Sequence, residues 1–279
     1  MALAYASVQT SNSGTTSVVV TKPTSLAEGD YMVAHLASSN ASATDLSAHT
    51  LSGWTSAATA QSNSGTASHR ATCLYKVASA GDVAASDFTF TCDADAESSC
   101  GAIYRFTGAG LVNGAGDDDA TTTADHTFAN TITPTFADSI LLFLASCVNN
   151  GGTSFSTYAI TTNNPTWTER YDVTNTGAAG DGDTTMAGAT GPRAEVTATG
   201  NSTVSSGVVT DSVGLMVAVY PQKDVTVSPS VISLVGAVQA PSVAANAIVT
   251  VSSAIGITGT VVSPTVTTAT PTWTNIPKS

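Results

Sequence analysis

The sequence predicts an all-β protein: a jelly-roll-like antiparallel β-sandwich built from two pseudo-repeated halves, followed by an extended β-rich C-terminal tail. Three observations carry this. Short segments alternate apolar and polar residues with a period of two. Clusters of Gly, Asn and Ser separate them. One pattern also occurs twice, in halves spanning about 26–110 and 134–222. An acidic residue opens an apolar run in Asp30-Tyr31-Met32-Val33-Ala34-His35-Leu36-Ala37 and in Asp138-Ser139-Ile140-Leu141-Leu142-Phe143-Leu144-Ala145. A Trp-Thr pair follows each, at Trp54-Thr55 and Trp167-Thr168. A Gly-led apolar run closes each half, from Gly101 to Phe106 and from Gly214 to Tyr220, and both glycines follow their Trp by 47 positions. Two halves that each expose an apolar sheet face most simply bury those faces against each other.

The elements follow in order. The continuous apolar runs from Tyr31 and Ile140 fit strands buried on both faces. Thr72–Val77 alternates, with Cys73, Tyr75 and Val77 on one face, and Asp87-Phe88-Thr89-Phe90-Thr91 points both Phe one way. Ala194–Thr199 alternates in the same manner and reads as a further strand. Turns are expected at Ser62–Gly65, Gly108–Gly110, Asn149–Gly152 and Gly177–Gly180. No segment shows helical periodicity with caps. Tyr220-Pro221-Gln222 closes the sandwich, taken as residues 1–222. Residues 223–279 lack Tyr, Phe and Cys and repeat themselves: Val225-Thr226-Val227-Ser228 recurs as Val249-Thr250-Val251-Ser252, and the stretch through Val238 to Pro241 recurs through Val261 to Pro264. Repeats this short do not form separate cores. Alternating β-branched residues with recurrent Pro suit extended strands that pair with a neighbour, so Val225, Val227, Val238, Pro241, Val261, Pro264 and the isolated Trp273 are the candidate assembly residues. A flexible linker is the alternative.

Composition narrows the class. Only 10% of residues are charged, against about 25% in an average protein, which suits a protease-resistant β-protein outside a cell. With eight Lys and Arg and a net charge of −12, no basic stripe exists to neutralise phosphates, so nucleic acid is not an expected partner. No apolar run approaches the roughly 20 residues of a membrane-spanning helix. The segment Met1–Val8 lacks the basic start and long apolar run of a secretory signal. Release by lysis within a phage particle is one exit without such a signal, and a processed secreted chain is the other. Cys73, Cys92, Cys100 and Cys147 allow three connectivities; Cys92 and Cys100 bracket a loop that a disulfide would staple, while buried free thiols are the common alternative in β-cores.

Little in the sequence points to catalysis. His35, His49, His69 and His126 show no metal-ligand spacing, and His35, inside an apolar strand, reads as a core histidine. No nucleophile elbow or singled-out carboxylate pair occurs, so no enzyme activity and no cofactor are expected. Two acidic loops are calcium candidates: Asp93, Asp95 and Glu97 alternate, and Asp117, Asp118 and Asp119 are consecutive. Neither carries the Gly and terminal Glu of an EF-hand loop, so solvated loops are the simpler expectation. Trp54 and Trp167 offer a sugar-stacking platform if exposed; their matched positions favour plugging equivalent ends of one core.

Glu28-Gly29-Asp30, Gly53-Trp54-Thr55, Asp138 through Ala145, Trp167-Thr168-Glu169-Arg170 and Val217-Ala218-Val219-Tyr220-Pro221 together resemble a group of phage- and prophage-encoded β-sandwich proteins found among virion and tail-associated components. Similar Val/Ser/Thr/Pro repeats trail such domains. The resemblance implies a non-enzymatic particle subunit, whether surface, decoration, tail or fibre, that is located in the virion and partners with itself and other virion proteins without membrane insertion. Two alternatives remain: a carbohydrate-binding adhesin module, on the particle or secreted to the cell surface, that uses Trp54, Trp167 and Tyr158 on a host glycan; and a subunit of a self-polymerising extracellular filament.

Overall fold

Strand-forming segments come in two successions. The first contains β1 (Ala4–Gly14), β2 (Ser17–Thr21), β3 (Tyr31–Asn40), β4 (Thr55–Asn63), β5 (Ser68–Val77), β6 (Asp87–Thr91) and β7 (Ser98–Thr107). The second contains β8 (Ala109–Asp119), β9 (Asp125–Phe128), β10 (Ser139–Val148), β11 (Ser156–Ile160), β12 (Thr168–Asn175), β13 (Thr184–Arg193), β14 (Ser202–Ser205) and β15 (Ser212–Pro221). The computed structural model describes residues 2–42, 44–63, 67–119, 123–148, 153–176, 182–208 and 210–222. These belong to one unit, Met1–Lys223. The proposed tail, with Val225, Val227, Val238, Pro241, Val261, Pro264 and Trp273, lies outside the described residues.

Every pairing among the described strands is antiparallel. The order β1-β7-β3-β5-β4 in one five-stranded sheet is repeated as β8-β15-β10-β13-β12 in the other. Small sheets complete the halves, β2-β6 in the first and β9-β14-β11 in the second. The first half keeps a trace of β11: Thr50 and Thr91 exchange both backbone hydrogen bonds beside β6, as Ser156 pairs with Ser205 beside β14. The ladders match in detail. Tyr31 pairs with Phe106 and Val77, and Ile140 with Val219 and Pro192. Edge strands β4 and β12 even share a bulge, between Ser56 and Ala58 and between Glu169 and Tyr171. By this register Tyr31 corresponds to Ile140, so Asp30 corresponds to Ser139 and not, as the letters suggest, to Asp138.

Three apolar clusters separate four layers. Between the large sheets lie Val33, Ala37, Cys73, Tyr104 and Phe106 from one side and Leu142, Leu144, Met186, Leu215 and Val217 from the other. Val18, Val20, Phe88 and Phe90 of β2 and β6 cover the outer face of the first large sheet. Phe128, Ile160 and Val204 of β9, β11 and β14 cover that of the second. Strands β3, β7, β10 and β15 are therefore buried on both faces, which is why their sequences are apolar without alternation. Each half is a sandwich in its own right, not a single sheet.

The closing glycines make room for the small sheets. A Cβ at Gly101 would lie 2.8 Å from Val20, and one at Gly214 would lie 2.3 Å from a ring carbon of Phe128. The ladders make Val20 and Phe128 counterparts, so both glycines serve one crossing of a short strand over a long one. Trp54 and Trp167 do not plug one core. Each is half-buried in a different outer cluster, Trp54 edge-on to Phe88 and Phe90, Trp167 edge-on to Phe143. The cause is the second layer in each half, which creates a separate outer cluster beside each Trp; Trp54 meets rings of that layer, Phe88 and Phe90, whereas Trp167 meets Phe143 of the large sheet.

Two further expectations change. Residues 194–199 form no strand, because the carbonyls of Thr197 and Ala198 both turn onto a buried cation. The Arg193 guanidinium donates to the carbonyls of Thr162, Asn163 and Thr197 at 2.8, 2.7 and 3.1 Å, closing two loops around itself. A five-residue helix, α1 (Ala80–Ala84), is present. Ser79 and Asp82 form a capping box at its start, and Asp82 also pairs with Lys76 Nζ at 2.7 Å.

Candidate assembly interface

The acidic loops spend their oxygens on the protein's own backbone. Asp93 accepts from the Ser47 and Asp95 amides at 2.7 and 2.8 Å, Glu97 accepts from Ala41 at 3.0 Å, and the Asp95 carbonyl accepts from Asn40 Nδ2. These amides hold the Asp93 carboxyl below its usual range. In the second loop Asp119 accepts from Thr127 N and Asp117 from Ala129 N, both at 2.6 Å, while Asp118 stays exposed. No cluster of three or more His, Cys, Asp or Glu among the described residues is arranged to hold a metal ion. Where solvated loops are the simpler expectation from sequence, Asp93, Glu97, Asp117 and Asp119 instead cap backbone amides of the protein itself.

The histidines are internal as well. All four are buried. His35 Nδ1 lies 2.6 Å from the Tyr171 hydroxyl, His49 bridges Ser38 and Thr72, and His126 Nε2 meets Ser206. Burial pulls His35, His49 and His69 down to about 3, so they are neutral at pH 7. His69 crosses between the large sheets to Ser146 Oγ at 2.7 Å. Nearby, Ser39 donates to Gly182 O, Thr184 Oγ1 donates to Ser98 O, and Asn175 Nδ2 donates to Gly14 O. This polar seam fixes the halves in register, because each group left unpaired there would cost about 1–3 kcal/mol.

Among the described residues an aromatic ledge lies at the surface. Trp167 Nε1 donates to Asn164 at 2.8 Å, and Tyr158 stands edge-on to Phe143 beside it. Tyr158 is half-buried, as are Trp167 and Trp54. Desolvation raises Asp172 to about 6 and also raises Glu169, and both carboxylates raise Tyr158 further after burial. Asp172 accepts from Phe155 N at 2.9 Å. The first half has Ser56 and Thr59 at the corresponding register positions, so it carries no such acidic ledge.

The strand edges differ between the halves. In an antiparallel ladder, residues that exchange both hydrogen bonds with a partner alternate with residues whose N–H and C=O point away. Lys22 N to Ser86 O and Cys92 N to Thr16 O mark the exchanging set in β2-β6, so Ser17, Val19 and Thr21 turn their backbone outward. Ser206 N to Ala124 O marks the same alternation in β14-β9, so Thr127 and Ala129 turn outward there. These two amides are the ones Asp119 and Asp117 cap. Asp119 pairs with Ser212 and Asp117 with Gly214; Gly14 and Ser11 make the corresponding pairings with Ser99 and Gly101. The first half thus has no carboxylate where the second has two. Among the described residues no side chain accepts from Val19 or Thr21 N, and Val19 is 49% exposed.

No family model, curated protein or solved structure matches this chain.

The open edge was missed in the sequence because it depends on ladder phase, which no local pattern displays. The ledge had a partial signal, Trp167-Thr168-Glu169. The buried cysteines are all free: Cys92 belongs to the first outer cluster and Cys100 to the middle one, so the first large sheet stands between them.

Proposed function

We propose that the protein is a non-enzymatic structural subunit of a phage particle, with the body described above serving as a rigid unit and residues 223–279 joining it to neighbours. The observation that carries this reading is where the reactive side chains go. Histidines, thiols and most of the acidic loop oxygens are committed to internal packing and backbone capping, leaving hydroxyl-rich sheet faces and the uncapped edge of β2 outside. In the second half the strand orders β8-β15-β10-β13 and β11-β14-β9 follow a jelly-roll path in which β12 has moved beside β13. We read each half as such a variant, an architecture used by viral capsid and lectin domains. Deleting residues 225–279 should leave a soluble body with an unchanged far-UV circular dichroism signature per strand residue, and should abolish association in sedimentation velocity and electron microscopy. Full assembly by the truncated chain would reject the role given to the tail.

A second reading, glycan binding, is favoured by the Trp167–Tyr158 ledge with Glu169 and Asp172 beside it. A glycan array that loses its signals in Trp167→Ala but not in Trp54→Ala would support it.

A further inference from the structure

We infer that the outward edge of β2 is the acceptor site for an extended segment of a neighbouring copy of this chain, Ile248-Val249-Thr250-Val251-Ser252. The inference rests on the assembly reading above and gives it a location. Ser17, Val19 and Thr21 offer a row of outward N–H and C=O groups, the feature that strand addition uses. The second half shows how this fold closes the same edge when it is to stay closed: Asp117 and Asp119 take the amides of Ala129 and Thr127. The first half has Ser11 and Gly14 instead. A carboxylate cannot be accommodated at Gly14 without displacement, since a Cβ there would lie 2.7 Å from Ser17 O.

The occupant follows from chemistry and reach. An added strand beside β2 needs one apolar face, to extend the row of Val18 and Val20 over the first outer cluster, and one hydroxyl-bearing face to continue Ser17 and Thr21. Ile248–Ser252 has five residues, as β2 does, and places Val249 and Val251 on one face with Ile248, Thr250 and Ser252 on the other. It lies in a proline-free run between Pro241 and Pro264, so every residue keeps its N–H donor. Val225–Ser228 has the same alternation but meets Pro229 at once. At about 3.3 Å per extended residue, the 26 residues from Gln222 to Ile248 span up to about 85 Å, enough to reach an adjacent molecule.

Full-length Val19→Cys and full-length Thr250→Cys chains, mixed and oxidised, test the contact, since both positions lie on the exposed face of the extended sheet; the four native thiols are buried and leave the background low. A disulfide-linked pair of the two variants is expected, with none when Thr127→Cys replaces Val19→Cys at the capped edge. Val19→Lys, at an exposed position, should dissociate the assembly to monomer with the melting temperature of the body unchanged. Absence of the Val19–Thr250 link would overturn the inference, and so would predominant Val19–Val19 linkage, which would identify β2 of a second copy as the occupant. Sedimentation of the unmodified full chain separates the two claims. Association without the link defeats only this location, whereas a chain that stays monomeric under all conditions defeats the assembly reading as well.

Discussion

The two halves of the body share one ladder plan but use their polar residues differently. The first half buries three neutral histidines, and leaves a short strand uncapped. The second half has an additional strand, β11, closes the matching edge with Asp117 and Asp119, and carries Glu169 and Asp172 beside Trp167. The plan itself is set by a few steric facts: a glycine beneath a crossing strand, a bulge in the outer strand, an indole against the outer cluster. Everything hydrogen-bonded around that frame has diverged. A duplicated frame therefore locates what is special by subtraction, because each unmatched feature marks something the frame does not need.

The largest expected effect is at the shared glycine. Gly214→Ala sets a methyl group against the Phe128 ring and should cost about 3 kcal/mol or more, while Gly101→Ala, against the smaller Val20, should cost about 1–3 kcal/mol. Urea unfolding would rank them, and Phe128→Val should partly rescue Gly214→Ala by copying the first half. Equal costs would break the difference drawn between the Phe128 and Val20 crossings.

Acid should separate the halves next. His35, His49 and His69 have folded-state values near 3 against an ordinary value near 6.5. Between those limits the unfolded chain takes up protons that the folded chain refuses. Their contribution is thus complete above about pH 6.5 and is lost as pH falls toward 3, by up to about 1.4 kcal/mol per pH unit for each histidine. Asp172 runs the other way: its folded value is raised, so its unfavourable contribution is present at neutral pH and is relieved as pH falls through about 6. Hydrogen exchange from pH 7 to 4 should show β3 and β5 losing protection before β10 and β13, and His69→Gln should flatten the pH slope.

Edge chemistry gives the smallest effects. Asp119→Asn should cost about 1–2 kcal/mol and speed exchange of the Thr127 amide. Ser11→Asp, which copies Asp117 into the first half, should change stability by only a few tenths of a kcal/mol, yet weaken association by capping Thr21. Unchanged association in a folded Ser11→Asp chain would argue that the open edge is unused.

The doubling was legible in the sequence because Trp and Gly are rare, irreplaceable choices whose spacing survives divergence. The long central strands were legible because burial on both faces removes alternation. Strands β1, β4, β8 and β13 were among those not legible, as their Ser, Thr, Ala and Gly residues carry little periodic contrast, while β2 and β9 are only five and four residues long. Residues 194–199 misled because alternation also arises where carbonyls converge on a cation, here Arg193. The short helix had a signal in Ser79-Ala80-Gly81-Asp82, too brief to stand out. Asp93, Asp95, Glu97 and Asp117–Asp119 looked like ligands since a sequence cannot show whether a carboxylate already holds backbone amides.

The placement of the four cysteines has a consequence for where such a chain can live. Burial raises all four thiols, Cys100 to about 12, so almost no thiolate exists at neutral pH to exchange, oxidise or bridge. The fold asks nothing of the redox potential around it. It can be completed in a reducing cytoplasm without an oxidative folding step, and then be carried into an oxidising medium without scrambling.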